Sequence, residues 1–308
     1  MHLVSRAVFR LLPLIPRPAL KIVASRYIAG ETLEDLIRTV LALRRSGLDA
    51  TVDILGENTK TLEDAERAQE EYSLLVDQLA SRGLATQISL KLTFLGLRLS
   101  EDLAWKAAES ITDLAQARGL SVCLDMEDAT TTDATLGIFR ALKERHPDVS
   151  VAIQAYLKRS VGDVQSLLPL RPWIRVCKGI YNERAEIAFK DRQVIRENYL
   201  RIVELLLDGG GYPAIATHDP YLVDRCLAGL RSRGRPTDAF EFQMLLGVGQ
   251  SLRPRILEAG SRLRLYCPYG RDWHGYSIRR LKENPAIVGH ILRSFLTLQA
   301  FRRREARA

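Results

Sequence analysis

The sequence predicts an α/β protein of the (β/α)8 barrel class. Three observations carry that expectation. Eight short apolar runs are fit for buried strands, the segments between them mostly show helical periodicity, and no Pro/Gly/Ser-rich linker divides the 308 residues. The runs are ATVDILG (50–56), TQISLKL (86–92), SVCLDME (121–127), SVAIQAY (150–156), WIRVCKG (173–179), PAIATHD (213–219), AFEFQML (239–245) and RLRLYCP (262–268). Their starts lie mostly 23 to 40 residues apart, room for the crossover helix that parallel strands require. Eight such units predict a closed barrel, with a doubly wound open sheet as the alternative. No GxGxxG follows the first strand and no GxxxxGK[ST] occurs, so neither a dinucleotide fingerprint nor a P-loop is supported.

In chain order, residues 1–48 are expected to form an N-terminal helical segment packed on the barrel. Residues 49–300 form the barrel and 301–308 a basic tail, with one domain overall. The apolar patch LLPLIP near the start is interrupted by two prolines and surrounded by Arg and Lys. It is too short to span a bilayer and lacks a small-residue cleavage site, so it reads as a basic amphipathic segment. LEDAERAQEEYSLLVDQLASRG, SEDLAWKAAESITDLAQARG and TTDATLGIFRALKERHP read as helices, opening with Ser/Thr or acidic residues and closing at Gly or Pro.

Composition narrows the class. A hydrophobic content of 46% and a charged content of 27% suit an ordinary globular core. Cys123, Cys177, Cys226 and Cys267 form no CxxC pair and read as reduced core thiols of an intracellular protein. The net charge of +8 and pI near 9.4 permit contact with anionic surfaces. The cations are dispersed, however, and no nucleic-acid motif appears. His2, His146, His274 and His290 fit no metal-ligand spacing, so no metal site is expected.

Side chains alternate across a strand, and the parity is informative. Gln87, Ser89 and Lys91 share one face against Ile88, Leu90 and Leu92. Asp125 and Glu127 share the face of Cys123. Gln154 and Tyr156 oppose Val151 and Ile153, Arg175 opposes Ile174 and Val176, and His218 opposes Ile215. Gln243 opposes Phe242, Tyr266 opposes Leu265, and Asp53 shares parity with Glu57. Nearly every strand thus carries a polar residue near its C-terminal end, opposite an apolar face. In a barrel those ends converge on the catalytic mouth. A lone buried cation would be costly, so such a set must pair within itself or with a polar ligand. Individually, Lys91 could be half of a structural pair with Asp125 or Glu127, and Gln154 and Gln243 could satisfy backbone groups. His218 could be a core histidine donating to a carbonyl. Asp128 reads as a helix N-cap, and Trp173 and Tyr181 as packing aromatics. Their convergence predicts an enzyme.

After the eighth run comes HGYSIRRLKE (274–283). On a helix, Tyr276, Arg279, Arg280 and Glu283 share one broad face. Two guanidinium forks side by side suit a carboxylate as well as an ordinary surface ion pair.

DILGE (53–57), ISLKLTFLGL (88–97), LDMED (124–128), QAYLKR (154–159), RVCKGIY (175–181), ATHDP (216–220), FEFQMLLG (240–247), YCPYG (266–270) and YSIRRLKE (276–283) resemble the motifs of proline dehydrogenases. That flavoprotein family occurs alone or as one domain of bifunctional proline-utilisation proteins. The resemblance runs in order from about Arg26 to about Leu298, and the most specific motif is YxxRRxxE. It implies a distorted (β/α)8 barrel with its last helix over the mouth, in a monofunctional form. It further implies oxidation of L-proline to Δ1-pyrroline-5-carboxylate by hydride transfer to N5 of non-covalent FAD. A membrane quinone would then reoxidise the flavin.

By the same resemblance Lys91, Arg279 and Arg280 hold the substrate carboxylate, while Tyr181, Leu245, Tyr266 and Tyr276 enclose the ring beside Asp125. Glu57 and Arg279 form a gate. Asp125, Gln154, Arg175, Lys178, Gly179, Thr217, His218, Gln243 and Glu283 contact FAD, with Arg175 near N5. A downstream pyrroline-5-carboxylate dehydrogenase is an implied partner, and the location is cytoplasmic or peripheral at the inner face of the membrane. Three alternatives remain at this level. They are an enzyme of hydroxyproline or another cyclic amino acid, a non-catalytic barrel scaffold, and a lyase using Lys91 as a Schiff-base nucleophile.

Overall fold

A computed structural model describes residues 25–277 of the chain. Its eight strands are β1 (Asp49–Ile54), β2 (Gln87–Leu90), β3 (Ser121–Leu124), β4 (Ser150–Gln154), β5 (Trp173–Cys177), β6 (Tyr212–Ala216), β7 (Glu241–Leu245) and β8 (Leu263–Tyr269). All neighbours pair in parallel in sequence order, and β8 returns onto β1 from Asp49↔Arg264 to Ile54↔Tyr269, closing the barrel. Closure excludes the open-sheet alternative.

The expected strands are all present, several of them shortened. The β2 run stops at Leu90 because the amides of Phe94 and Leu95 bond back to the carbonyl of Lys91, at 3.0 and 3.2 Å. That turn swings Lys91 out of the ladder and onto the mouth.

Helices α1 (Leu33–Arg45), α2 (Leu62–Ser81), α3 (Glu101–Ala117), α4 (Thr132–Arg145), α5 (Ser160–Leu167), α6 (Arg192–Asp208), α7 (Pro220–Ser232) and α8 (Arg253–Glu258) follow the sequence signals closely. Thr32, Thr61 and Ser100 cap α1, α2 and α3 through their hydroxyls, relieving amides that have no partner in the first turn. Asp128 caps a short 3-10 turn before α4, as its position predicts. Asp219 caps α7, with Pro220 following it.

The apolar core lies between the strands' outer faces and the helices. Val52, Ile88, Leu90, Val122, Val151 and Ile174 have no exposure and meet Tyr72, Leu75 and Leu79 of α2 and Phe139 of α4 in one cluster. Burying each large apolar side chain contributes about 1.5–3 kcal/mol.

Residues 273–277 begin a helix after β8. Its expected continuation over the mouth, with Arg279, Arg280 and Glu283, lies outside the described residues, as does the basic stretch before residue 25. Among the described residues no helix is long and apolar enough to cross a membrane.

Candidate active site

The inward face of the barrel is a stack of hydrogen-bonded polar groups, as the strand parity predicts. Near the N-terminal end, Thr51 donates to Gln87 at 2.9 Å and Gln87 donates to Ser150 at 3.1 Å. Arg264 forks onto Glu241 at 2.9 and 3.0 Å. One layer up, Arg175 donates through Nε to Gln243 at 2.9 Å and through its other nitrogens to Asp125, Ser89 and Gln87. Its guanidinium carbon lies 5.1 Å from the centre of the Tyr266 ring. The Tyr266 hydroxyl donates to the second Asp125 oxygen at 2.8 Å. Lys91 reaches Asp53 and the carbonyl of Ile54, with Asp125 3.9 Å away. Above this floor opens a cavity of about 1180 Å³, at the barrel end where the C-termini of the strands converge.

Two cations and two carboxylates therefore share a nearly dry floor, and their environments drive them apart. Burial pushes the Asp53 carboxyl up to about 6, against the pull of Lys91. Burial acts the same way on Asp125, but Arg175, then Lys91, Ser89 and Tyr266 outweigh it and hold that carboxyl below its ordinary value. Burial disfavours the Lys91 ammonium, yet Asp53 and Asp125 more than offset it and its pKa rises. Lys91 is thus a firm cation, opposite to what a Schiff-base lysine needs. Tyr266, raised well above its usual value by burial and the neighbouring carboxylates, stays a hydroxyl donor. An ammonium has three N–H donors. With Asp53 and Ile54 taking two among the described residues, a third can meet a ligand anion.

Around the rim, Tyr181, Leu245 and Tyr276 line the cavity together with Glu57, whose expected partner Arg279 lies outside the described residues. Gln154 donates to the carbonyl of Glu127 at 2.7 Å, and Glu127 holds both the amide and the hydroxyl of Thr93. Gln154 thus does satisfy backbone while lining the cavity. His218 Nε2 accepts the amide of Leu245 at 2.8 Å, so a neutral ring carries its proton on Nδ1. Gly179 has φ +109°, and an added Cβ would lie 2.0 Å from the Tyr156 ring; only glycine fits there. Lys178 lies 3.2 Å from Asp219, which also receives Arg196 at 2.8 and 2.9 Å. Arg192 approaches the same carboxylate at 3.5 Å. Thr217 accepts the amide of Asp219. Trp173 packs edge-on to Tyr212, as a structural aromatic should.

Three features escape sequence reasoning. Lys91 pairs with Asp53 rather than primarily with Asp125 or Glu127, because the β1–β2 register sets Asp53 beside Ser89, two residues before Lys91. The cations around Asp219 are assembled by the loop that carries Lys178 and the first turns of α6, which carry Arg192 and Arg196 and have no strand parity. Cys177 is only half-buried and lines the cavity, unlike the three buried cysteines. The parity of Asp53 with Glu57 was the available signal for the first.

The family model described as proline dehydrogenase matches residues 36–293. Proline dehydrogenase 1 of Bacillus subtilis (strain 168) is 37% identical over 273 residues, covering 89% of this chain and 90% of that protein. The proline dehydrogenase of Deinococcus radiodurans is 37% identical over 278 residues, again covering 89% and 90%. Among solved structures, proline utilization A (PutA) from Bdellovibrio bacteriovorus, inactivated by N-propargylglycine, superposes with a TM-score of 0.80 at 26% identity. The match covers 85% of this chain and 32% of that larger one.

Proposed function

The chain belongs to the proline dehydrogenase family, and from that premise we propose that it oxidises L-proline to Δ1-pyrroline-5-carboxylate with FAD as the hydride acceptor. The observation that carries this reading is the paired floor of Lys91, Asp53, Asp125 and Arg175 at the base of a large cavity. A buried, fixed ammonium with a donor to spare suits a small amino acid's carboxylate, and a rim of Tyr181, Leu245, Tyr266 and Tyr276 suits the methylene groups of a ring. The related PutA structure was inactivated by N-propargylglycine, which like proline is a secondary amine bearing a carboxylate.

The residues present fit FAD. The cavity of about 1180 Å³ exceeds the ~300–1,000 Å³ usual for drug-sized ligands, which suits a dinucleotide beside a small substrate. Gln154, Arg175, Thr217, His218 and Gln243 line it from the ends of β4 to β7. Lys178 and Arg192, beside the single Asp219 carboxylate, leave an excess of positive charge suited to a diphosphate, and the missing Cβ at Gly179 allows close backbone approach. When bound, FAD supplies a two-electron acceptor that takes the hydride from the ring carbon next to nitrogen and passes its electrons to a membrane quinone.

The chain's own residues prepare that step. Lys91, with Arg279 and Arg280 as its expected partners, fixes the carboxylate and so the ring, the orientation that turns binding into rate. Hydride loss also needs the amine neutral. Lys91 and Arg175 are matched by Asp53 and Asp125 on the floor, so it is the added charge of the expected pair Arg279 and Arg280 that disfavours a further cation and promotes loss of the ammonium proton on binding. The fixed guanidinium of Arg175 favours an electron-rich cofactor. Glu57 would close over the site through Arg279. The Tyr266 hydroxyl, held on Asp125, fills the space where a ring substituent would go and favours plain proline over hydroxyproline. In this reading the protein works in the cytoplasm, in peripheral contact with the membrane that holds its quinone, and hands its product to a pyrroline-5-carboxylate dehydrogenase.

The test is proline-dependent reduction of a soluble quinone by the purified chain supplied with FAD, with the product assayed. Quinone reduction that is the same with and without L-proline would refute the reading.

A further inference from the structure

We infer that Glu241, deep in the barrel and away from the cavity, is a positioning residue that fixes how Arg175 is presented to the reaction. The inference rests on the reading above, in which Arg175 lies against the flavin.

Four side chains, Arg264, Glu241, Gln243 and Arg175, form a chain of donors and acceptors across the barrel. Glu241 is fully buried. A carboxylate only accepts hydrogen bonds and a guanidinium only donates them. Glu241 accepts the fork of Arg264 at 2.9 and 3.0 Å and the side-chain amide nitrogen of Gln243 at 2.6 Å. The other end of Gln243 faces Arg175 Nε at 2.9 Å. Between a residue that only accepts and one that only donates, an amide fits in a single orientation. Glu241 therefore dictates that the Gln243 carbonyl oxygen points at Arg175.

That bond matters because it holds one edge of the guanidinium. The other edge is committed to Asp125 and Ser89, with Tyr266 stacked against the face. Arg175 is thus held on two edges and one face; of the two amides it meets, Gln243 lies nearer, at 2.9 Å against 3.3 Å for Gln87. The foundation is rigid. Arg264 also donates to the carbonyl of Ala50 at 3.1 Å and lies 5.7 Å from the centre of the Trp173 ring. Glu241 and Gln243 are two apart on β7, so they share the inward face.

The competing account is that Glu241 merely neutralises buried Arg264. Two variants separate them, Glu241→Gln and the double variant Glu241→Gln/Arg264→Gln. In the first, the new amide can present either end to Gln243, so the orientation of Gln243 is held from the Arg175 side alone. Arg264 then keeps, among the described residues, only Asp49, at 3.6 Å, as a charged partner. In the second, the poorly compensated charge is gone but the orientation is still held from one side only.

We would measure Tm, hydrogen exchange of the Arg175 Nε–H by NMR, the midpoint potential of bound flavin, and the anaerobic rate of flavin reduction by L-proline per bound flavin. Both variants are expected to exchange the Arg175 Nε–H faster and to have a more negative flavin potential. Their reduction should be roughly ten- to hundredfold slower, the equivalent of one hydrogen bond to a charged group. The KM for L-proline should move little, because Lys91 is untouched. Tm should fall in the single variant and recover in the double. Recovery of the rate and exchange together with Tm would overturn the inference, as would wild-type exchange and potential in Glu241→Gln. Tm, exchange and potential are read without substrate, so they judge Glu241 independently. Bleaching of the wild-type flavin by L-proline judges the functional reading.

Discussion

Replacing Arg175 by Met removes the cation on which the floor of the site depends while nearly keeping its volume. Asp125 then loses a charged donor and keeps Ser89, Tyr266 at 2.8 Å and Lys91 at 3.9 Å. Removing one partner of a buried pair costs about 3–5 kcal/mol. The nearby Lys91 pulls the value toward the lower end, while Gln243 and Gln87 each lose a donor, at roughly 1 kcal/mol apiece. The expected loss is about 3–5 kcal/mol at about pH 8. Its pH dependence has a definite sign. In the wild type Asp125 is held below its ordinary pKa, so its contribution is present above the unfolded value and fades as pH falls through the folded one. In the variant burial is opposed by Lys91, Ser89 and Tyr266 but no longer by Arg175, so the pKa rises and the penalty grows with rising pH. Urea unfolding of both proteins at about pH 5 and about pH 8 should therefore give a difference that widens at the higher pH. An equal difference at both, or one below about 1 kcal/mol, would refute the assignment of Arg175 as the partner that keeps Asp125 ionised.

Lys91→Met should raise the KM for L-proline by roughly ten- to hundredfold, the loss of one charge-assisted hydrogen bond to the carboxylate; an unchanged KM in steady-state kinetics would place the carboxylate elsewhere. Gly179→Ala forces a side chain into a positive-φ position 2.0 Å from the Tyr156 ring, and should cost at least ~1–3 kcal/mol in backbone strain and weaken FAD binding. Wild-type stability and affinity in denaturation and flavin titration would show that the loop relaxes freely.

The barrel was legible because two signals agree. Eight apolar runs with helical spacers imply eight βα units, and the polar member of each run falls on the face that a barrel turns inward. The same parity marks the floor, since Lys91, Asp125, Arg175, Gln243 and Tyr266 all converge as their strands predict. What escaped depends on register. Glu241 shares a face with Gln243, and Arg264 with Tyr266, yet nothing in one dimension says that Gln243 lies beside Arg264. The partner of Lys91 is hidden for the same reason. The basic group at Asp219 is hidden differently, since Lys178, Arg192 and Arg196 come from a loop and a helix start whose path no periodicity describes. Arg279, Arg280 and Glu283 remain expectations from their motif.

The central claim is that a carboxylate-holding floor orients a ring amine for hydride loss. It is tested most directly by mixing the FAD-loaded protein, without oxygen, with L-proline or with pyrrolidine, which lacks the carboxylate. Rapid bleaching of the flavin band by L-proline and none by pyrrolidine is the predicted result. Equal bleaching by both, or by neither, would contradict it.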